Sequence, residues 1–261
     1  MGCAAPHARR AIEYVEARFG ALVSLLDRYL RGEFEQVWSE LLALGPAVHV
    51  GPERAAALAV ARETMLRVRR NCERLIDRLR QLDYEFGIYP DGSSVPYQPG
   101  PLRALQDESL VAQAELEREA GPVPISLSTF WGEVGAIDLM GRRSGWPGLL
   151  DPLVVYPPEA ILSDLDSWQV DAKGEFHRPS GLEGGLSPDY LHKDNISGGP
   201  PYAVALPNAA VDFILLNERH ELHFVPYLRM AILQWDGFPG LDRARTRFEA
   251  LDDLRRDLEP F

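Results

Sequence analysis

From residue 53 to residue 86 the chain runs without a glycine or proline, and Pro52 stands where a first helical turn tolerates it. Leu58, Ala61, Met65, Val68, Cys72, Leu75, Leu79, Leu82 and Phe86 recur at the a and d spacing of a heptad. The pattern predicts one helical rod about 50 Å long at ~1.5 Å per residue. An apolar seam of that length needs a partner. Ile12, Val15, Phe19, Leu22, Leu26 and Tyr29 form a second stripe that stops near Gly32, and a shorter helix is expected over 34–44, ended by Gly45-Pro46. The first reading is therefore an antiparallel, coiled-coil-like hairpin within the chain. Its rival is a homodimer through 58–86. Cys72, on the seam, is expected to be a small buried residue. Arg67, Arg69, Arg70, Arg74, Arg78 and Arg80 are expected to pair along the helix with Glu63, Glu73 and Asp77 and to face solvent, an anion site being the alternative.

Beyond residue 86 the grammar changes. Tyr89-Pro90-Asp91-Gly92 and Gln98-Pro99-Gly100-Pro101 are turn chemistry, and a helix is expected over 101–120 with Leu102, Leu105, Leu110 and Leu116 on its apolar side. Gly121-Pro122 stops it. A short helix over 127–134, turned by Gly135 into a strand over 136–140, then opens the back of the chain. Strands are expected at 153–156, 167–170, 174–177, 202–206 and 210–216, with a brief helix at 161–165. Residues 178–201 read as a long irregular loop, and such loops inside compact domains are often functional. Helices are expected over 223–234 and 241–258. The organisation is thus a helical front (1–86), a linker with a helix (87–121) and an α/β back (122–261), an α+β chain overall.

The stretch PISLSTFWGEVGAIDLMG, then DPLVVYP, and later FVPYLRMAIL together resemble the SUKH superfamily, whose members include bacterial toxin-immunity proteins and regulators related to yeast cell-wall synthesis control. Pro124, Ile125, Ser126, Leu127 and Phe130 are similar to that family's proline-led entry into a helix. Gly132, Gly135 and Ile137 are similar to its glycine turn into a strand, and Phe224, Tyr227 and Leu228 to its late helix. The similar region runs over about 122–233. The resemblance implies a mixed α/β domain on a small sheet and a role in binding a protein partner.

Charge limits the partners. The net charge is −12, and the acidic excess lies after residue 86. That argues against nucleic acid, which needs clustered Lys and Arg. It suits a basic partner, steered by charge. No apolar run approaches the roughly 18 residues needed to cross a bilayer, and the N-terminal residues lack an apolar signal region, so the cytoplasm is the expected compartment. Cys3 and Cys72 have no spacing that suggests a disulfide framework or a thiolate metal site. No metal and no cofactor is expected.

Chemistry-bearing residues are few. His220 and His223 are three apart, whereas the helical metalloprotease motif needs four. No nucleophile elbow surrounds Ser128, Ser144 or Ser163. The loop that holds His192, Lys193, Asp194, Asn195, Ser197, Gly198 and Gly199 is the candidate ligand site: a lysine to neutralise an anion, a hydroxyl, glycines for a nest of backbone N–H groups, and His192 and Asp194 for proton transfer. Trp146, Asp138 and Glu133 are the candidate partner-binding residues. The leading expectation is a non-catalytic protein-binding chain, an immunity or conflict-system component whose partner is a basic toxin. An enzyme or anion binder at 192–199 is the alternative, and a coiled-coil scaffold is the third.

Overall fold

The structure is a computed structural model, and it describes residues 25–96, 100–104, 106–168, 182–243 and 254–261. Most of the expected first helix, the expected strand at 174–177, and much of the expected C-terminal helix lie outside the described residues. The described end of the first helix, 25–30 (α1), leads to α2 (Phe34–Ala43) and then to α3 (Gly51–Gln81). A short strand β1 (Glu85–Phe86), β2 (Leu102–Arg103), α4 (Asp107–Ala120), α5 (Ile125–Glu133), β3 (Ala136–Asp138), β4 (Gly141–Arg142), β5 (Val154–Val155) and α6 (Pro158–Trp168) follow. The back is completed by β6 (Leu182–Ser187), β7 (Tyr202–Leu206) and α7 (Phe224–Arg229), which runs on as a π-turn over Met230–Gln234. The fold is mixed α+β.

Helix α3 is the axis, but it stops five residues short of the expected end. Asp83 adopts a left-handed φ of 57°. The N–H of Tyr84 then donates to Leu79 O at 3.0 Å and that of Asp83 to Arg80 O at 3.1 Å. This is a Schellman ending, built on aspartate where glycine is usual. It frees Glu85 and Phe86 to pair antiparallel with Arg142 and Gly141.

The α3 seam is used inside the chain. Ala61, Met65, Val68, Cys72, Leu75 and Leu79 are buried, and α5 packs along them. Burial pushes the Cys72 thiol well up. These side chains therefore offer no free face to a second copy, and Leu58, at the start of the seam, is exposed. Ala56, Ala57, Val60, Thr64 and Ile76 are buried as well, so α3 is embedded on more than one side. Thr64 joins the front helices to it: its Oγ1 lies 3.1 Å from Trp38 Nε1 and 2.8 Å from the Tyr29 hydroxyl. One continuous apolar core runs from Leu25 to Phe261, shared by front and back.

The arginines of α3 divide into two sets. Arg67, Arg69 and Arg80 pair along the helix with Glu63, Glu73 and Asp77, as expected. Arg70 and Arg74 instead hold Glu259 at 2.7 and 2.8 Å, and Arg78 donates to Leu254 O at 2.7 Å. Asn71 exchanges two hydrogen bonds of 2.8 Å with the backbone of Glu259. Residues 254–261 thus lie as a strap across α3, with the Phe261 ring fully buried. They are not helical; Asp257 has a φ of 57°.

Among the described residues three small antiparallel sheets complete the frame. In the central one β3 lies between β2 and β5, with Ile137 opposite both Leu102 and Val155. Residues 102 and 103, expected to be helical, are therefore strand, and α4 buries Ser109, Ala112 and Leu116 while Leu110 is exposed. Residues 167 and 168, expected to begin a strand, are the end of α6. Part of the expected loop at 178–201 is strand β6, paired with β7 and bulged between Gly185 and Ser187. Gly184 permits this, because a Cβ there would lie 2.7 Å from Ile161 Cγ2. Residues 210–216 make only isolated bridges, Ala203 to Leu216 and Ile214 to His223.

The corner at α5 needs no glycine cap at its start. The N–H groups of Ile125 and Ser126 donate to Ala210 O and Val211 O, and Ser126 Oγ donates to Asp212 Oδ1 at 2.7 Å. Asp212 Oδ2 accepts the Val225 N–H at the start of α7, at 3.1 Å. One buried carboxyl therefore ties the first turns of two helices. Among the described residues no helix is long and apolar enough to cross a membrane.

Candidate functional site

Between Pro188 and Pro201 the chain is irregular yet heavily bonded. A single 3₁₀ turn, His192–Asp194, sets the directions of its side chains. Leu191 N–H donates to Asp189 Oδ1 at 2.9 Å, and the N–H groups of Lys193, Asp194, Asn195 and Ile196 donate to carbonyls of Asp189, Leu191, His192 and Leu191. Asn195, at a φ of 61°, closes the turn. The backbone N–H groups of 193–196 are therefore turned to carbonyls of the same turn. Those groups serve the turn itself.

Lys193 and Asp194 point inward. The Lys193 side chain is fully buried, its Nζ 2.6 Å from Asp151 Oδ1 and 4.6 Å from the centre of the Tyr202 ring. The Tyr202 hydroxyl donates to Asp151 Oδ2 at 2.9 Å. Burial first, then the Asp151 carboxylate, push that phenol far up. Asp194 accepts the Leu149 N–H at 2.6 Å; burial raises its carboxyl, aided by the charge of Asp151, while the Leu149 N–H opposes the shift. The expected anion-neutralising lysine is thus a buried structural cation, because a carboxylate 42 residues earlier in the chain meets it.

His192, Asn195, Ile196, Ser197, Gly198 and Gly199 point outward and are exposed. His192 Nδ1 is hydrogen-bonded to Asp189 Oδ2. Burial pushes the Asp189 carboxyl up, but the His192 ring and the Leu191 N–H outweigh it and hold the group below the usual carboxylate range. Gly198 lies so close over Asp189 that a Cβ would come within 2.3 Å of Oδ1. Asn195 Nδ2 donates to Asp91 Oδ2 at 2.9 Å, across to the turn at 89–93. The Ser93 hydroxyl, Asn195 and the Ser93 N–H hold Asp91 down at about 2.

Between these two turns lies a cleft of about 440 Å³, lined by Tyr89, Pro188, His192, Asn195, Ile196 and Pro201 among others. A volume in this range with mostly apolar walls and a few polar groups is typical of a ligand cleft. A second cavity of about 300 Å³ opens beside Arg142, Arg143 and Trp146. There Trp146 packs against Phe238 and Tyr84, each at 5.7 Å between ring centres, with the Arg143 guanidinium 5.7 Å from its own ring.

The three expected partner-binding residues do not sit on one element. Trp146 lines the second cavity. Asp138 lies in β3, accepting the Met140 N–H at 2.8 Å. Glu133 ends α5 and pairs with Arg62 at 2.9 Å. Nor do His220 and His223 converge: His220 lies between Glu218 (2.5 Å) and Asp242 (3.0 Å), while His223 precedes α7. Among the described residues no group of three His, Cys, Asp or Glu could hold a metal ion.

No family model, curated protein or solved structure matches this chain. Sequence reasoning missed Tyr89, Asp151, Asp189 and Tyr202. One signal did exist for the buried pair: a chain with only two lysines among 27 basic residues places one of them here. A lysine's compact ammonium on a long flexible stem suits a single buried carboxylate better than a forked guanidinium does.

Proposed function

We propose that the chain is a protein-binding protein, acting in the cytoplasm, that takes a basic partner on the face formed by residues 88–94 and 188–199. The observation that carries this reading is the dense internal bonding of an exposed turn. Lys193 and Asp194 anchor it from inside, Asp189 and Asn195 brace it from the sides, and Ile196 through Gly199 are left outward. A surface ordered before binding loses less entropy on association. The acidic excess after residue 86 supports a basic partner, and the resemblance to the SUKH superfamily supports a toxin as that partner.

The test is capture of native-host proteins on the immobilised full chain. One or a few basic proteins are expected to be retained, released by salt, and lost with Ile196→Arg/Ser197→Arg. Retention of acidic proteins only, or retention unchanged by that variant, contradicts the reading. A second reading, a small-molecule binder, is favoured by one observation, the His192–Asp189 pair at the rim of a cleft.

A further inference from the structure

We propose that the cleft between Tyr89 and the 188–199 turn receives one lysine or arginine side chain of the basic partner; this rests on the binding reading above. Three features of the cleft point to a cation on an aliphatic stem.

The walls suit the stem. Pro188, Ile196 and Pro201 supply apolar surface and Tyr89 an aromatic ring, along which the methylenes of a long basic side chain can lie while its head seeks a polar group. The cleft's volume of about 440 Å³ holds such a side chain with room for water.

Two of the polar groups are acceptors. The Asp189 carboxyl, held below the usual carboxylate range, lines the cleft beside its bond to His192 Nδ1. Asn195 directs its Nδ2 at Asp91 and Ser93, so its amide oxygen is the group left to accept. The N–H groups of residues 193–196 all donate within the turn.

The surrounding charge is negative. Burial, then Asp138, then Asp91 push the Tyr89 phenol up, which places both carboxylates within electrostatic reach of the cleft. Two nearby cations are already matched, Lys193 with Asp151 and Arg142 with Glu85 at 3.0 Å. A guanidinium or ammonium entering beside Tyr89 also gains from the ring face.

The experiment is a titration of the isotope-labelled full chain with hexa-arginine, hexa-lysine, hexa-glutamate and inorganic phosphate at one ionic strength, followed by amide resonances. The basic peptides are expected to shift Tyr89, His192, Ile196 and Ser197. His192→Ala and Ile196→Ser, both at exposed positions, are expected to weaken them about tenfold. Glu115→Gln/Glu117→Gln, on the exposed face of α4, is expected to change nothing, which separates the cleft from general attraction to an acidic chain. Shifts spread over α4 and indifferent to the cleft variants overturn the proposal, as do shifts at these residues with hexa-glutamate or phosphate instead. If the hexapeptides fail while the host partner is still captured, the cleft proposal alone falls. If capture fails, the binding reading falls with it.

Discussion

Lys193→Met is expected to lower the unfolding free energy by about 3–5 kcal/mol, because breaking a buried pair from one side strands the other charge. Asp151 is 1% exposed, and its remaining hydrogen bond comes from the Tyr202 hydroxyl. A single phenol does not replace an ammonium at 2.6 Å. The loss reads as a shift of about 10 °C in melting temperature for a chain of this size. Adding Asp151→Asn removes the stranded charge, and asparagine tolerates the left-handed φ of 52° at that position. The double variant is therefore expected to be more stable than Lys193→Met alone. If Lys193→Met melts within a degree or two of the wild type, the inward lysine is not what holds this turn.

Asp212 gives the second large effect, and its sign is set by burial. The carboxyl is buried between α5 and α7; burial pushes it up from 3.8 to about 6, against the hydrogen bonds from Ser126, Val225 and Phe213. A group whose folded value is raised adds stability that is fully present below its unfolded value and lost as pH rises through its folded value. The window thus runs from about pH 4 to about pH 6. A shift of this size corresponds to about 3 kcal/mol. Asp212→Asn keeps an acceptor for Val225 and a partner for Ser126 but cannot ionise. Measured by urea unfolding at several pH values, the gap between Asp212→Asn and wild type is expected to move in favour of the variant as pH rises from 4 to 6, then to stay constant. A gap that does not change with pH, or that moves the other way, contradicts a raised Asp212. Comparing variant with wild type also cancels the carboxylates whose values are lowered, Asp189, Asp242 and Glu259 among them.

Much of the frame can be read from residues, and the exceptions have physical reasons. The start of α3 at Gly51-Pro52, its seam, and the turn of α5 into β3 at Gly135 all follow from apolar spacing and glycine placement. The end of α3 does not, because Asp83 takes a conformation that sequence grammar reserves for glycine. Strands β1 and β2 are two residues long and carry no period; only their partners, Gly141–Arg142 and Ala136–Asp138, define them. Strand β6 hides in a glycine pair, of which Gly184 is required by Ile161.

The site divides the same way. The loop was legible as a loop, and its residue types were legible as chemistry. Their directions were not. One 3₁₀ turn sends Lys193 and Asp194 inward and His192 and Asn195 outward, and the groups that decide this, Asp151, Leu149 N–H and Asp91, lie far away in sequence. The arginines of α3 teach the same lesson, since three of them reach across to residues 254–259.

The most direct test of the proposed binding face is amide hydrogen exchange on the full chain, alone and saturated with a basic protein retained in the capture experiment. Slower exchange in the complex at 88–94 and 188–199, with α4 unchanged, is the predicted result. Slower exchange confined to α3 or α4, with 188–199 exchanging as in the free chain, would contradict it.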